Sequence, residues 1–114
     1  MKTTVIFSLA IVSITQLASA AECGNKWMGV PDSTTLQRFW NARSATCNCI
    51  ATQPGNYCGN LNNQFLAFAI WGTRPTTQIC WDGFENIINQ CIKQGWNSGL
   101  YQYSGSNLQI TRWK

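Results

Sequence analysis

The sequence predicts an α+β domain: a small, disulfide-stapled two-layer α/β sandwich, its mostly antiparallel sheet covered on one face by two helices. Three observations lead there. Residues 82–95 carry a helical stripe, with Phe84, Ile87, Ile88, Cys91 and Ile92 at i, i+3, i+4, i+7 and i+8. Residues 100–103 and 108–113 alternate apolar and polar on either side of Ser104-Gly105-Ser106-Asn107, as a hairpin does. Six cysteines in a chain of 114 residues point to cross-linking of a fold too small to rely on burial alone.

The first twenty residues, MKTTVIFSLAIVSITQLASA, combine Lys2, an apolar run from Val5 to Val12 and small residues at Ala18 and Ala20. That is the n-region, h-region and A-x-A pattern of a secretory signal peptide, with cleavage expected between Ala20 and Ala21. Residues 21–114 are then one disulfide-rich secreted domain, and the expected location is extracellular. Its cysteines, Cys23, Cys47, Cys49, Cys58, Cys80 and Cys91, are even in number and follow the leader, so three bridges are expected. Geometry disfavours a bridge between Cys47 and Cys49, and the other pairings stay open. Pro54 and Gly55 could turn the chain back between Cys49 and Cys58, which favours that pair.

Residues 21–30 read as an irregular arm stapled at Cys23. Pro31-Asp32-Ser33-Thr34 is a helix start with Asp32, Ser33 or Thr34 as N-cap, and Leu36, Phe39 and Trp40 give a short apolar stripe ending near Ala42 to Ser44. Residues 46–63 hold three cysteines, Pro54 and two glycines, the composition of a bridged loop with a short strand at Cys47 to Ala51. Phe65 to Trp71 is apolar throughout and is expected as a buried strand. Asp82 is read as the N-cap of the main helix in a capping box with Glu85, and Gly95 as its left-handed end. In the hairpin, Gly105-Ser106 is the expected turn, placing Tyr103 opposite Leu108 and Tyr101 opposite Ile110. The expected core is Phe39, Trp40, Phe65, Ala67, Ala69, Phe84, Ile87, Ile88, Cys91, Ile92, Tyr101, Leu108 and Ile110. Trp71 also fits a core position.

Of eight Lys/Arg, Lys2 leaves with the leader, so seven cations face four acids for a net of +3. They are scattered along the chain, which is no nucleic-acid footprint. No apolar run after the leader reaches the ~18 residues of a membrane span, so no stable membrane insertion is expected. The chain has no histidine, which removes Ser-His and Cys-His nucleophiles. Metal is disfavoured too, since there is no C-x-x-C pair, and no cofactor is expected. A glycosidase needs two carboxylates beside a cleft. Glu22 sits at the new terminus, Asp32 at a helix start, and Asp82 and Glu85 are read as caps. What remains is aromatic: six tryptophans, of which Trp96 and Trp113 are the candidates for exposure, with Arg112 and Lys114 beside the latter. Exposed tryptophans stack on sugars or anchor protein interfaces.

The C-terminal third, CWDGFENIINQCIKQG followed by WNSGLYQYSGSNLQITRW, resembles the ending of small cysteine-rich proteins secreted by fungi. In those proteins a cysteine-bearing helix with paired isoleucines runs into a glycine-led hairpin. The group includes plant-infection effectors and killer-toxin-like proteins with an α/β-sandwich fold. The resemblance implies a secreted, non-catalytic protein bearing on virulence or microbial competition, and it transfers no functional residues. The expected function is therefore an effector or toxin-like protein that binds a host or microbial surface protein or glycan. The alternative is a cell-wall carbohydrate-binding module using exposed Trp and Tyr; a small secreted hydrolase ranks third.

Overall fold

The computed structural model describes residues 20–53 and 60–113; the expected leader, Cys58 and Lys114 lie outside them, apart from the leader's last residue. Ala21 leads into β1 (Glu22–Gly24), so the expected irregular arm begins as an edge strand. The first helix, α1 (Ser33–Thr52), starts where Asp32 accepts from the backbone N–H of Thr35 at 2.7 Å. It does not stop near Ser44 but runs for 20 residues, and the strand expected at Cys47 to Ala51 is helix. Phe39, Ala42, Thr46, Cys47 and Ile50 keep its buried face going, with small residues where a longer apolar stripe would ordinarily show. At its end the Arg74 guanidinium donates to the carbonyls of Ile50 and Gln53, a cation on the negative end of a helix.

Short β2 (Leu61–Asn62) is followed by β3 (Leu66–Gly72), the buried strand the sequence predicts. Its faces are the reverse of the expectation: Leu66, Phe68 and Ile70 point into the core while Phe65, Ala67 and Ala69 are only partly covered. The choice follows size, because turning the larger side chains inward removes more apolar area from water. Trp71 consequently lies on the outer face and is exposed.

The second helix, α2 (Thr77–Gln90), begins five residues before Asp82. Thr76 is its N-cap, accepting from the Ile79 N–H at 3.1 Å, so the capping box of Asp82 and Glu85 does not exist. Asp82 accepts instead from the Gln78 amide at 2.9 Å, and Glu85 pairs with Arg43 of α1 at 3.0 Å. After Cys91 a single 3-10 turn, Ile92–Gln94, ends at Gly95 in the left-handed region with φ 96°, as expected.

Strands β4 (Ser98–Tyr103) and β5 (Ser106–Arg112) form the hairpin. Its turn is Ser104-Gly105, both at positive φ, rather than Gly105-Ser106; this pairs Tyr103 with Ser106 and Tyr101 with Leu108. Two consecutive left-handed residues match the right-handed twist of the strands. Because the register moves by two residues, the faces survive, and Tyr101, Leu108 and Ile110 are buried.

The sheet order is β1-β4-β5-β3-β2, antiparallel throughout. Both helices lie over one face. Phe68 stands between them, its ring 6.4 Å from Phe39 and 4.7 Å from Phe84. Trp40 is half-buried at the margin of this core rather than inside it. Cys47 joins α1 to Cys80 of α2, and Cys23 joins β1 to Cys91. Cys49 is also disulfide-bonded, and the expected pairing with Cys58 falls outside the described residues. No free thiol is present among the described residues, and none of their helices is long and apolar enough to cross a membrane.

Candidate binding surface at the end of the sheet

The sheet ends, where β5 finishes, in a band of aromatic and cationic side chains. Backbone hydrogen bonds define it. Asn97 N–H donates to the Asn25 carbonyl at 2.8 Å, Arg112 N–H to Asn97 at 2.7 Å, and Trp113 N–H to Phe65 at 2.9 Å. Four separate segments, the turn after β1, the entry to β4, the end of β5 and the entry to β3, are thereby drawn level. With them come Lys26, Trp27, Trp96, Trp113 and Phe65.

The segment between Asn25 and Val30 has no regular structure, yet it is held from two sides. Gly95 presses against it so closely that a Cβ there would sit 3.2 Å from the Gly29 carbonyl carbon, and the Arg112 guanidinium donates to the Gly29 carbonyl oxygen at 2.5 Å. Fixed in this way, the segment presents Trp27 at 70% exposure and Val30 at 74%. Lys26 lies over the Trp96 ring with its ammonium 5.4 Å from the centroid. On the other side Arg38 of α1 stacks on Phe65 at 3.7 Å. The edge thus combines open aromatic faces with cations already held against aromatic rings.

The sequence-predicted contact residues fare differently. Trp113 is half exposed at the end of β5, as expected. Trp96 is partly buried and packs on the core. Arg112, expected at a contact surface, is 6% exposed and turned inward. Burial holds its pKa below the usual guanidinium value while the Asp32 charge works in the opposite direction, so Arg112 braces the surface from behind. Lys114 lies outside the described residues. Trp27 and Val30 were missed because each stands alone in a Gly-rich arm, where no periodicity marks a side chain as inward or outward. The one available signal was an isolated Trp beside Lys26.

A second exposed surface is the outer face of the sheet. There Gln102, Asn107 and Trp71 form one cross-strand row, the Gln102 amide donating to Asn107 Oδ1 at 2.8 Å and Asn107 Nδ2 to the Trp71 carbonyl at 3.3 Å. Two of the four acids, Asp82 and Glu85, lie a turn apart on α2. Asp32 caps α1, Glu85 is bound to Arg43, and no group of His, Cys, Asp and Glu among the described residues could hold a metal ion. No protein-family model matches the chain, and neither curated proteins nor solved structures give a match.

Proposed function

We propose that this is a secreted effector or toxin-like protein that acts by binding a host or competitor target, with the aromatic end of the sheet as its contact surface. The observation that carries the reading is the pair of exposed apolar side chains, Trp27 and Val30, on a segment locked by Arg112 and Gly95. Large apolar side chains left in water on a rigid frame are what a protein interface uses as anchors, since little entropy is lost when they are covered. The leader motif, the disulfides and the absence of histidine support an exported protein that does not work by catalysis. The test is to apply the oxidised mature protein to plant leaf tissue and to yeast and fungal cultures. Injury to one class names the target; no effect on any of them, at concentrations where the protein stays folded, would overturn the reading.

The alternative, a cell-wall carbohydrate-binding module, draws on the row of Gln102, Asn107 and Trp71, which places a stacking ring beside two amides that can bond sugar hydroxyls. Retention on insoluble chitin or cellulose, lost with Trp71→Ala, would favour it.

A further inference from the structure

The backbone N–H of Ala21 faces two side-chain acceptors at once. Asn86 Oδ1 lies 2.9 Å from it and Gln90 Oε1 3.1 Å, so two side-chain amides of α2 share one N–H. Asn86 and Gln90 are one helical turn apart on the same face, and Asp82 continues the row a further turn back. Ala20 is exposed and precedes the first strand pairing, Glu22 with Leu100, while Cys23 is bonded to Cys91 two residues beyond Ala21. The chain is therefore accessible on one side of the Ala20–Ala21 bond and anchored on the other.

We propose that this place on α2 is a binding site for the chain's own new amino terminus. Hydrolysis of the Ala20–Ala21 bond takes up one water: the C–N bond breaks, the water oxygen stays with Ala20 as its carboxylate, and the nitrogen of Ala21 becomes an ammonium. An ammonium has three protons. Asn86 and Gln90 each receive one of their own, and the third is left to solvent. Two hydrogen bonds to the charged form, with negative charge along the same row, stabilise the ammonium. Leader removal then leaves the edge strand tied to α2 by a charged group as well as by the Cys23–Cys91 bridge. The inference rests on the export of the chain, not on any target.

The experiment has two readings. Full-length chain is secreted from a eukaryotic host, and its intact mass and N-terminal sequence are determined; a first residue of Ala21 is expected. The methyl signal of labelled Ala21 is then followed by NMR through a pH titration. The ammonium should titrate above the ordinary range of about 7.7–8.0 and return to it in Asn86→Leu/Gln90→Leu. Glu22, Asp82, Glu85 and Arg43, the charged groups on the elements packed around this terminus, are unchanged in that variant and cannot account for the difference. A chain with one glycine added before Ala21 serves if the double variant fails to fold: its displaced amine should titrate in the ordinary range. A mature chain beginning elsewhere overturns the processing step. An Ala21 amine that titrates in the ordinary range overturns the docking while leaving export intact.

Discussion

Gly83 of α2 rests against the ring of Tyr101 on β4 so closely that a Cβ at position 83 would lie 2.7 Å from Tyr101 Cδ2 and 2.8 Å from Leu108 Cδ2. Glycine is a poor helix interior residue, and replacing it with alanine ordinarily adds about 0.5–1 kcal/mol. Here the methyl has nowhere to go, because Tyr101 and Leu108 are themselves buried. Overpacking of this kind costs about 1–3 kcal/mol, so Gly83→Ala should lower stability in urea unfolding. An increase would show that the helix can move off the hairpin freely. Gly99 on β4 is in the same position, its Cβ direction blocked by Ile87 and Cys91.

The start of α2 separates two candidate caps. Thr76→Ala should cost about 0.5–2 kcal/mol, since it leaves the Ile79 N–H without its acceptor. Asp82→Ala removes an exposed i, i+4 contact with Gln78 and no cap, and should change stability by less than about 0.5 kcal/mol. Thermal or urea unfolding of the two variants side by side checks the order; equal losses would restore Asp82 as a structural cap.

Where sequence reading failed, the missing signal was local in each case. Phe84, Ile87, Ile88 and Ile92 identified α2, but Gly83 interrupts its stripe, so the first turn from Thr77 to Cys80 looked like a linker although Cys80 lies one turn before Phe84. In α1 the inward positions between Phe39 and Ile50 are Ala42, Thr46 and Cys47, too small or polar to register as apolar periodicity. Strand β3 has no polar residue to fix its phase, and only the size difference between Phe68 and its alanine neighbours carries the answer. The two-layer class was legible because helix and hairpin periods were both strong at the C-terminus. The proposed contact surface was half legible: of Trp96 and Trp113, the two candidates for exposure, only Trp113 lies half in solvent, whereas Trp27 owes its presentation to Arg112, which turns inward and fastens the segment that bears it.

The Cys47–Cys80 bridge ties the two helices through sulfurs that are fully buried, across a sequence separation of 33 residues. On the chain-entropy account a loop of that length is worth about 3–4 kcal/mol. Cys47→Ala/Cys80→Ala should therefore lose that much or more in urea unfolding, enough to bring a domain of roughly 5–15 kcal/mol near its threshold. Ellman titration of the denatured, unreduced protein should read close to zero, and one reactive thiol per chain would contradict the bridging.

Asp32 contributes to the acid limb of stability. The Thr35 backbone N–H holds its carboxyl below the usual carboxylate range, with the Thr35 side chain and then Arg38 and Arg112 acting in the same direction. A folded-state pKa below the unfolded one means a contribution that is present above the unfolded value, about 3.9, and is lost as pH falls through the folded value. Asparagine caps as well as aspartate at neutral pH but does not titrate. Melting temperatures from pH 7 to pH 2 should fall less steeply below pH 4 in Asp32→Asn than in the wild type, and parallel curves would remove the cap from the acid transition.

Tryptophans at the end of the sheet should divide by role. Trp27 is largely in solvent and Trp113 half so, whereas Trp96 packs on the core beneath Lys26. Truncating an exposed side chain leaves stability within about 0.5 kcal/mol, while removing a packed tryptophan costs several times that. Trp27→Ala and Trp113→Ala should accordingly keep the wild-type melting temperature and lose activity on whichever tissue or culture responds. Trp96→Ala should lower the melting temperature first. Arg112→Leu adds the control on rigidity: it leaves every exposed tryptophan in place but frees the Gly29 carbonyl. If presentation of Trp27 depends on that hydrogen bond, this variant should weaken activity too, in proportion to the mobility of residues 25–30 measured by amide exchange. Full activity in Trp27→Ala together with Trp113→Ala would move the contact surface elsewhere, and the outer sheet face around Trp71 would be the next place to mutate.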